Sequence, residues 1–202
     1  QLDVMTIPQN EPVIRAVERM PRGGGYATNL KAHQALSHSI RPQRGGGLDL
    51  RASKAKPSYC SGATYHVLLA MVQEAIDAGS LELSPSELQA LMMRGQGDGI
   101  GVWGRWNANG PGAAKLVKDM GMGINFESYE KAQPGDFMKM FWTDQIGKYE
   151  HGHLVVYLGT YQMHGEDYVK FWSSNQPRGY GVKSVPKRSI KWAIFTRITK
   201  IS

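Results

Sequence analysis

The hydrophobic period of this chain changes once, and that change constrains the fold more than any other feature. From Ser58 to Ala78 the apolar residues Tyr65, Leu68, Leu69, Val72 and Ile76 recur at helical spacing, and Gly79 follows as a helix-ending residue. From Gly135 onward the pattern is that of β-structure. Asp136 to Trp142, His153 to Gly159, Tyr168 to Ser174 and Ile190 to Ile198 are rich in Val, Ile, Phe, Tyr and Trp, with Val182 to Val185 as a shorter fifth strand. Helices first and strands afterwards predict an α+β fold, with the long helix packed on an antiparallel sheet of about five strands.

Residues 1 to 57 read as an arm packed on a 58–202 domain. Short helices are predicted over Glu11 to Met20 and over Thr28 to Ile40, the second with Leu30, Leu36 and Ile40 on its apolar side. Arg22-Gly23-Gly24-Gly25 and Arg44-Gly45-Gly46-Gly47 read as flexible loops rather than RNA-binding repeats. Ser84-Pro85-Ser86-Glu87 combines a capping box with proline at the first helical position, and predicts a helix running to about Gly95. A glycine-rich loop from Gly95 to Gly112 carries Trp103 and Trp106, before a short helix from Ala113 to Met120.

Of the 202 residues, 41% are hydrophobic and 20% charged, which excludes a disordered chain. No apolar run is long enough to span a bilayer. The formal net charge of +7 favours polyanionic partners, although the basic residues are scattered as on a solvated surface. No pattern for nucleic acid, phosphate or cofactor binding is present, so neither nucleic acid nor a cofactor is expected. The first residue is Gln1 rather than Met, which fits a removed secretory leader and a periplasmic or secreted protein.

Cys60 is the single cysteine. It cannot form an internal disulfide or supply a thiolate metal site, which leaves an inert buried thiol or a nucleophile. With Ser58 as N-cap, Cys60 falls about two positions inside a helix, where unpaired N–H groups and the helix dipole favour a thiolate. Such a nucleophile needs a base, and the base needs orienting. His153, at the rim of an apolar strand, is the best placed of the six histidines. In a hairpin centred on His164, Asn175 lies across from His153 on the same face; a slip of register substitutes Ser173, Ser174 or Gln176.

Three segments then resemble a known family. Tyr59-Cys60-Ser61-Gly62, Gln133-Pro134-Gly135-Asp136-Phe137 and Gly152-His153-Leu154-Val155-Val156-Tyr157-Leu158-Gly159 resemble, in order and spacing, the NlpC-type and CHAP-type papain-like cell-wall peptidases. The resemblance covers roughly residues 57 to 198. It implies a papain-like core and a Cys–His–polar triad that hydrolyses amide bonds in peptidoglycan stem peptides or cross-links. Cys60 would be the nucleophile, with its own N–H in the oxyanion hole, and His153 the base. Tyr59 stands where the family carries aspartate; Tyr59 and Ser61 would border the substrate.

Other signals compete with this expectation. Trp103 and Trp106 suit stacking on a sugar or peptide, or a hydrophobic plug over the nucleophile helix. His151-Gly152-His153 with His164 invites a metal site, but lacks a helical ligand pair. A non-catalytic wall-binding module and a cysteine acyltransferase or transpeptidase are the alternative functions.

Overall fold

The computed structural model describes residues 1–201. The fold is α+β. In the arm, helix α1 (Glu11–Arg19) is followed by the two-residue strand β1 (Gly23–Gly24), helix α2 (Leu30–His38) and a small hairpin of β2 (Ile40–Pro42) and β3 (Leu48–Leu50). Then come the long helix α3 (Cys60–Asp77) and three short helices, α4 (Pro85–Ala90), α5 (Gly101–Trp106) and α6 (Ala113–Asp119). Strands β4 (Gly123–Phe126), β5 (Phe137–Phe141), β6 (Gly152–Met163), β7 (Glu166–Asn175), β8 (Gly179–Pro186) and β9 (Trp192–Ile198) complete the chain.

The main sheet has seven strands, not about five, in the order β1-β8-β7-β6-β5-β9-β4, and every pairing is antiparallel. The five predicted strands form its body. The two extra strands sit at its edges and are too short to carry a periodic signal. One of them is built from the first glycine cluster: Gly23 and Gly24 pair with Tyr180 and Gly179, so this segment is an edge strand rather than a free loop.

α3 forms because its residues are good helix formers and because it is buried on several sides. Eleven of its residues, from Ser61 to Val72, are buried. One side meets the sheet through Leu154, Val156 and Trp172; the other is covered by Val13 and Val17 of α1. It ends as predicted: Gly79, at φ +70°, donates to Ile76 O while Ser80 donates to Ala75 O. Its start differs from the prediction. Tyr59 is the N-cap and Cys60 the first helical residue, because the Ser58 hydroxyl donates to Ser174 Oγ on β7 (2.8 Å) instead of capping.

α2 seals the first turns of α3. Asn29 caps it by accepting from the Ala32 N–H, and Leu36 lies where a Cβ on Gly62 would come within 2.6 Å of it. Leu30, expected on the apolar side, is 70% exposed beside the cap. His66 of α3 is buried and donates from Nε2 to Ser39 Oγ (2.7 Å), which itself donates to Leu36 O. The capping box at Ser84 forms, but α4 stops at Ala90 rather than near Gly95, and α5 occupies the middle of the predicted loop.

The second face of the sheet carries its own core of Met138, Met140, Val155, Tyr157, Phe171 and Phe195. Burial on both faces explains why β5 and β6 read as continuous apolar runs. Between β4 and β5, Pro134-Gly135-Asp136 makes the turn that joins sheet and arm. The fully buried Asp136 carboxylate accepts both Nε and Nη2 of Arg197 at 2.7 Å, Nδ2 of Asn10 at 2.7 Å and its own turn's Gln133 N–H at 2.7 Å.

Candidate active site

The geometry begins with the β6–β7 hairpin. Its turn is His164-Gly165, with Met163 opposite Glu166, so its centre lies between those two residues rather than on His164. An unbroken ladder from that turn would place Gln176 across from His153. A bulge at Leu158, between the pairs Gly159–Lys170 and Tyr157–Phe171, shifts the register by one. Asn175 therefore faces His153. The expected partner is reached by a different route: the turn shifts the ladder by one residue and the bulge shifts it back by one.

His153 Nε2 lies 2.8 Å from Asn175 Oδ1, and Asn175 Nδ2 donates to Gly181 O at 2.9 Å. Because the amide nitrogen is already committed to a carbonyl, Oδ1 must be the atom facing the ring. Nε2 therefore carries a proton toward Oδ1, which leaves Nδ1 for the thiol. The ring is held edge-on by Phe171 at 5.6 Å, with Trp142 beside it at 6.3 Å. Ser173 and Ser174 take other roles: the Ser173 hydroxyl donates to Leu154 O, and Ser174 receives Ser58.

Cys60 meets this histidine at the rim of the sheet. Burial pushes the thiol up, but the hydrogen bond and charge of His153, the Leu154 N–H and the nearby Lys139 ammonium outweigh it, and the thiol is lowered to about 7. The Cys60 N–H opens α3 and has no intrahelical acceptor, so it is available to a developing oxyanion. Two phenols flank the thiol. Tyr26 is pushed up to about 12 by burial and by Cys60, and Tyr59 is raised by burial, by Cys60 and by Tyr180, so both are neutral.

A cleft of about 610 Å³ opens over Cys60 and Ser61. Tyr59, half-buried, borders it and lies 3.0 Å through its hydroxyl from His33 Nδ1. Trp106 and Trp103 are 0% and 3% exposed, which leaves no free ring face for stacking on a ligand. Trp106 packs edge-on to Phe137 at 4.8 Å and donates to Thr64 Oγ1 on α3, while Trp103 packs against Tyr65 at 5.1 Å. These indoles are a hydrophobic plug against α3.

Tyr26, Lys139 and Glu150 are among the cleft residues that escaped the sequence reading. Lys139 carried a signal, being the one charge inside the apolar run Phe137-Met138-Lys139-Met140-Phe141. Among the described residues, no three His, Cys, Asp or Glu side chains gather as metal ligands. No protein-family model, no curated protein and no solved structure matches this chain.

Proposed function

We propose that the protein is a cysteine hydrolase with a papain-like core, cleaving amide bonds in the peptide part of peptidoglycan. The observation that carries this reading is the relay Cys60–His153–Asn175. A lowered thiol at a helix start meets an imidazole whose other nitrogen is fixed at 2.8 Å by a buried amide.

The chemistry follows from the tautomer. The Cys60 thiolate attacks the scissile carbonyl carbon, a C–S bond forms, and the carbonyl π-electrons move to oxygen. The Cys60 N–H stabilises that oxyanion; such a donor contributes about 3–4 kcal/mol. His153 Nδ1, which has taken the Cys60 thiol proton to give the thiolate, returns that proton to the leaving amine as the C–N bond breaks, giving a thioester. Nδ1 then takes a proton from water, hydroxide adds to the thioester, and the C–S bond breaks to release the acid and thiolate.

The substrate class rests on the three ordered motifs that resemble NlpC-type and CHAP-type peptidases, and a net charge of +7 suits an acidic wall polymer. Such a substrate lies outside the cytoplasmic membrane, and no described helix is long and apolar enough to cross one. The test is mass spectrometry of purified peptidoglycan after incubation with protein. New amino and carboxyl ends are expected with the wild type and none with Cys60→Ala. Unchanged peptidoglycan, with equal binding by wild type, Cys60→Ala and His153→Ala, would instead identify a binding module.

A further inference from the structure

Beside the thiol lies a built feature that the relay leaves unused. Lys139 stands on the α3 face of β5, opposite Leu154 in the ladder. Its stem passes two glycines. A Cβ on Gly112 would stand 3.3 Å from Lys139 Cδ, and one on Gly152 would stand 2.7 Å from Cε. The chain has thus kept a slot clear for this one side chain. At its end the ammonium pairs with Glu150, the two side chains being 11% and 9% exposed. Glu150 is tethered in turn, since its Oε2 accepts the N–H groups of Gly110 and Gly147 at 2.8 Å each.

A buried ion pair is weak evidence for stability, because desolvation offsets much of its attraction. Here the pair is also unsymmetrical. The carboxylate shares its charge with two backbone donors, whereas the ammonium has Glu150 as its one hydrogen-bonded partner and borders the same cleft as Cys60. We propose that Lys139 is a positioning residue for the reaction at Cys60, a permanent cation held by Glu150 that stabilises the thiolate through the catalytic cycle. The charge on an imidazole comes and goes as it shuttles a proton, whereas a lysine is charged at every pH where an imidazole titrates.

The groups facing the thiol come from every element around it. They are His153 from β6, Lys139 from β5, Glu150 from the segment before β6, Tyr26 from the arm and Tyr59 from the turn before α3, with His33 of α2 across the cleft. The two phenols are neutral, and Lys139 acts on the thiol in the same direction as His153.

The inference rests on the hydrolase reading, since both require an activated thiol, and alkylation separates them without any substrate. Rates of Cys60 modification by iodoacetamide across about pH 5 to 10 give the thiol's apparent pKa. In Lys139→Met, which leaves an apolar stem in the slot, this value is expected to rise by about 1 unit, so that alkylation near pH 6 falls about tenfold. In Glu150→Gln, which removes the anion and keeps the ammonium, it is expected to hold or fall. No rise in Lys139→Met, or equal rises in both variants, overturns the proposal. Should Lys139→Met fail to fold, a rise in Glu150→Gln overturns it alone. A wild-type thiol titrating near about 8.5 overturns the hydrolase reading as well.

Discussion

Asn175 holds His153 with one end of its amide while the other end is held by Gly181 O, at 2.8 and 2.9 Å. The orientation of the imidazole is therefore fixed from β8. Asn175→Ala is expected to cut turnover of peptidoglycan about 10²-fold, because the ring loses its choice of tautomer. Asn175→Asp keeps the acceptor and is expected to fall between the two. Steady-state kinetics on a soluble stem peptide would measure both, with circular dichroism to confirm the fold.

His66 should make the protein sensitive to mild acid. Burial lowers this histidine to about 4, from an ordinary value of about 6.5, so the unfolded chain binds a proton that the folded chain refuses between those values. Stability is then full above about pH 6.5 and declines as pH falls toward 4, by about 3 kcal/mol in total. His66→Gln retains a donor for Ser39 without a titrating ring. Urea unfolding at pH 7 and pH 4.5 should show a smaller loss in this variant than in the wild type.

Gly159 tests the bulge that aligns the relay. Its φ is +124°, and a Cβ there would meet nothing within 4 Å, so substitution strains the backbone without any clash. Gly159→Ala is expected to lower stability by about 1 kcal/mol or more. If the strain is relieved by straightening the bulge, Gln176 moves opposite His153 and turnover falls with stability. Thermal unfolding together with kinetics distinguishes strain alone from a changed register.

Asp136 joins the sheet to the arm. Asp136→Asn removes the charge that Arg197 and Asn10 share, and leaves Arg197, with a side chain 15% exposed, without its counter-ion. A loss of about 3 kcal/mol in chemical unfolding is expected. Limited proteolysis should also cut residues 1–22 sooner, since the Asn10 contact that ties this segment to the turn is weakened.

The helix and strand core was readable because each segment is long enough to repeat its period: α3 over Cys60–Asp77, β6 over Gly152–Met163 and β7 over Glu166–Asn175. Gly23–Gly24 and Gly123–Phe126 complete fewer than three alternations, and their strand identity comes from their partners Tyr180 and Ile198. The start of α3 was misplaced because local sequence rewards Ser58 as a cap, while the fold uses its hydroxyl across the sheet. In the candidate site, Cys60 and His153 could be named from position alone. Asn175 depended on a register that no local signal specifies, and Glu150 comes to Lys139 through a loop whose conformation has no periodic trace.

The placement of β1 has a consequence for when the surroundings of Cys60 are assembled. The Ser58 N–H donates to Gly25 O at the base of α3, while Gly23 and Gly24 pair with β8, which also supplies the carbonyl that orients Asn175. The segment just before Cys60 is thus anchored to a strand that is synthesised long after it. A nascent polypeptide would therefore leave the start of α3 and the Asn175 amide without these partners until β8 has emerged and paired.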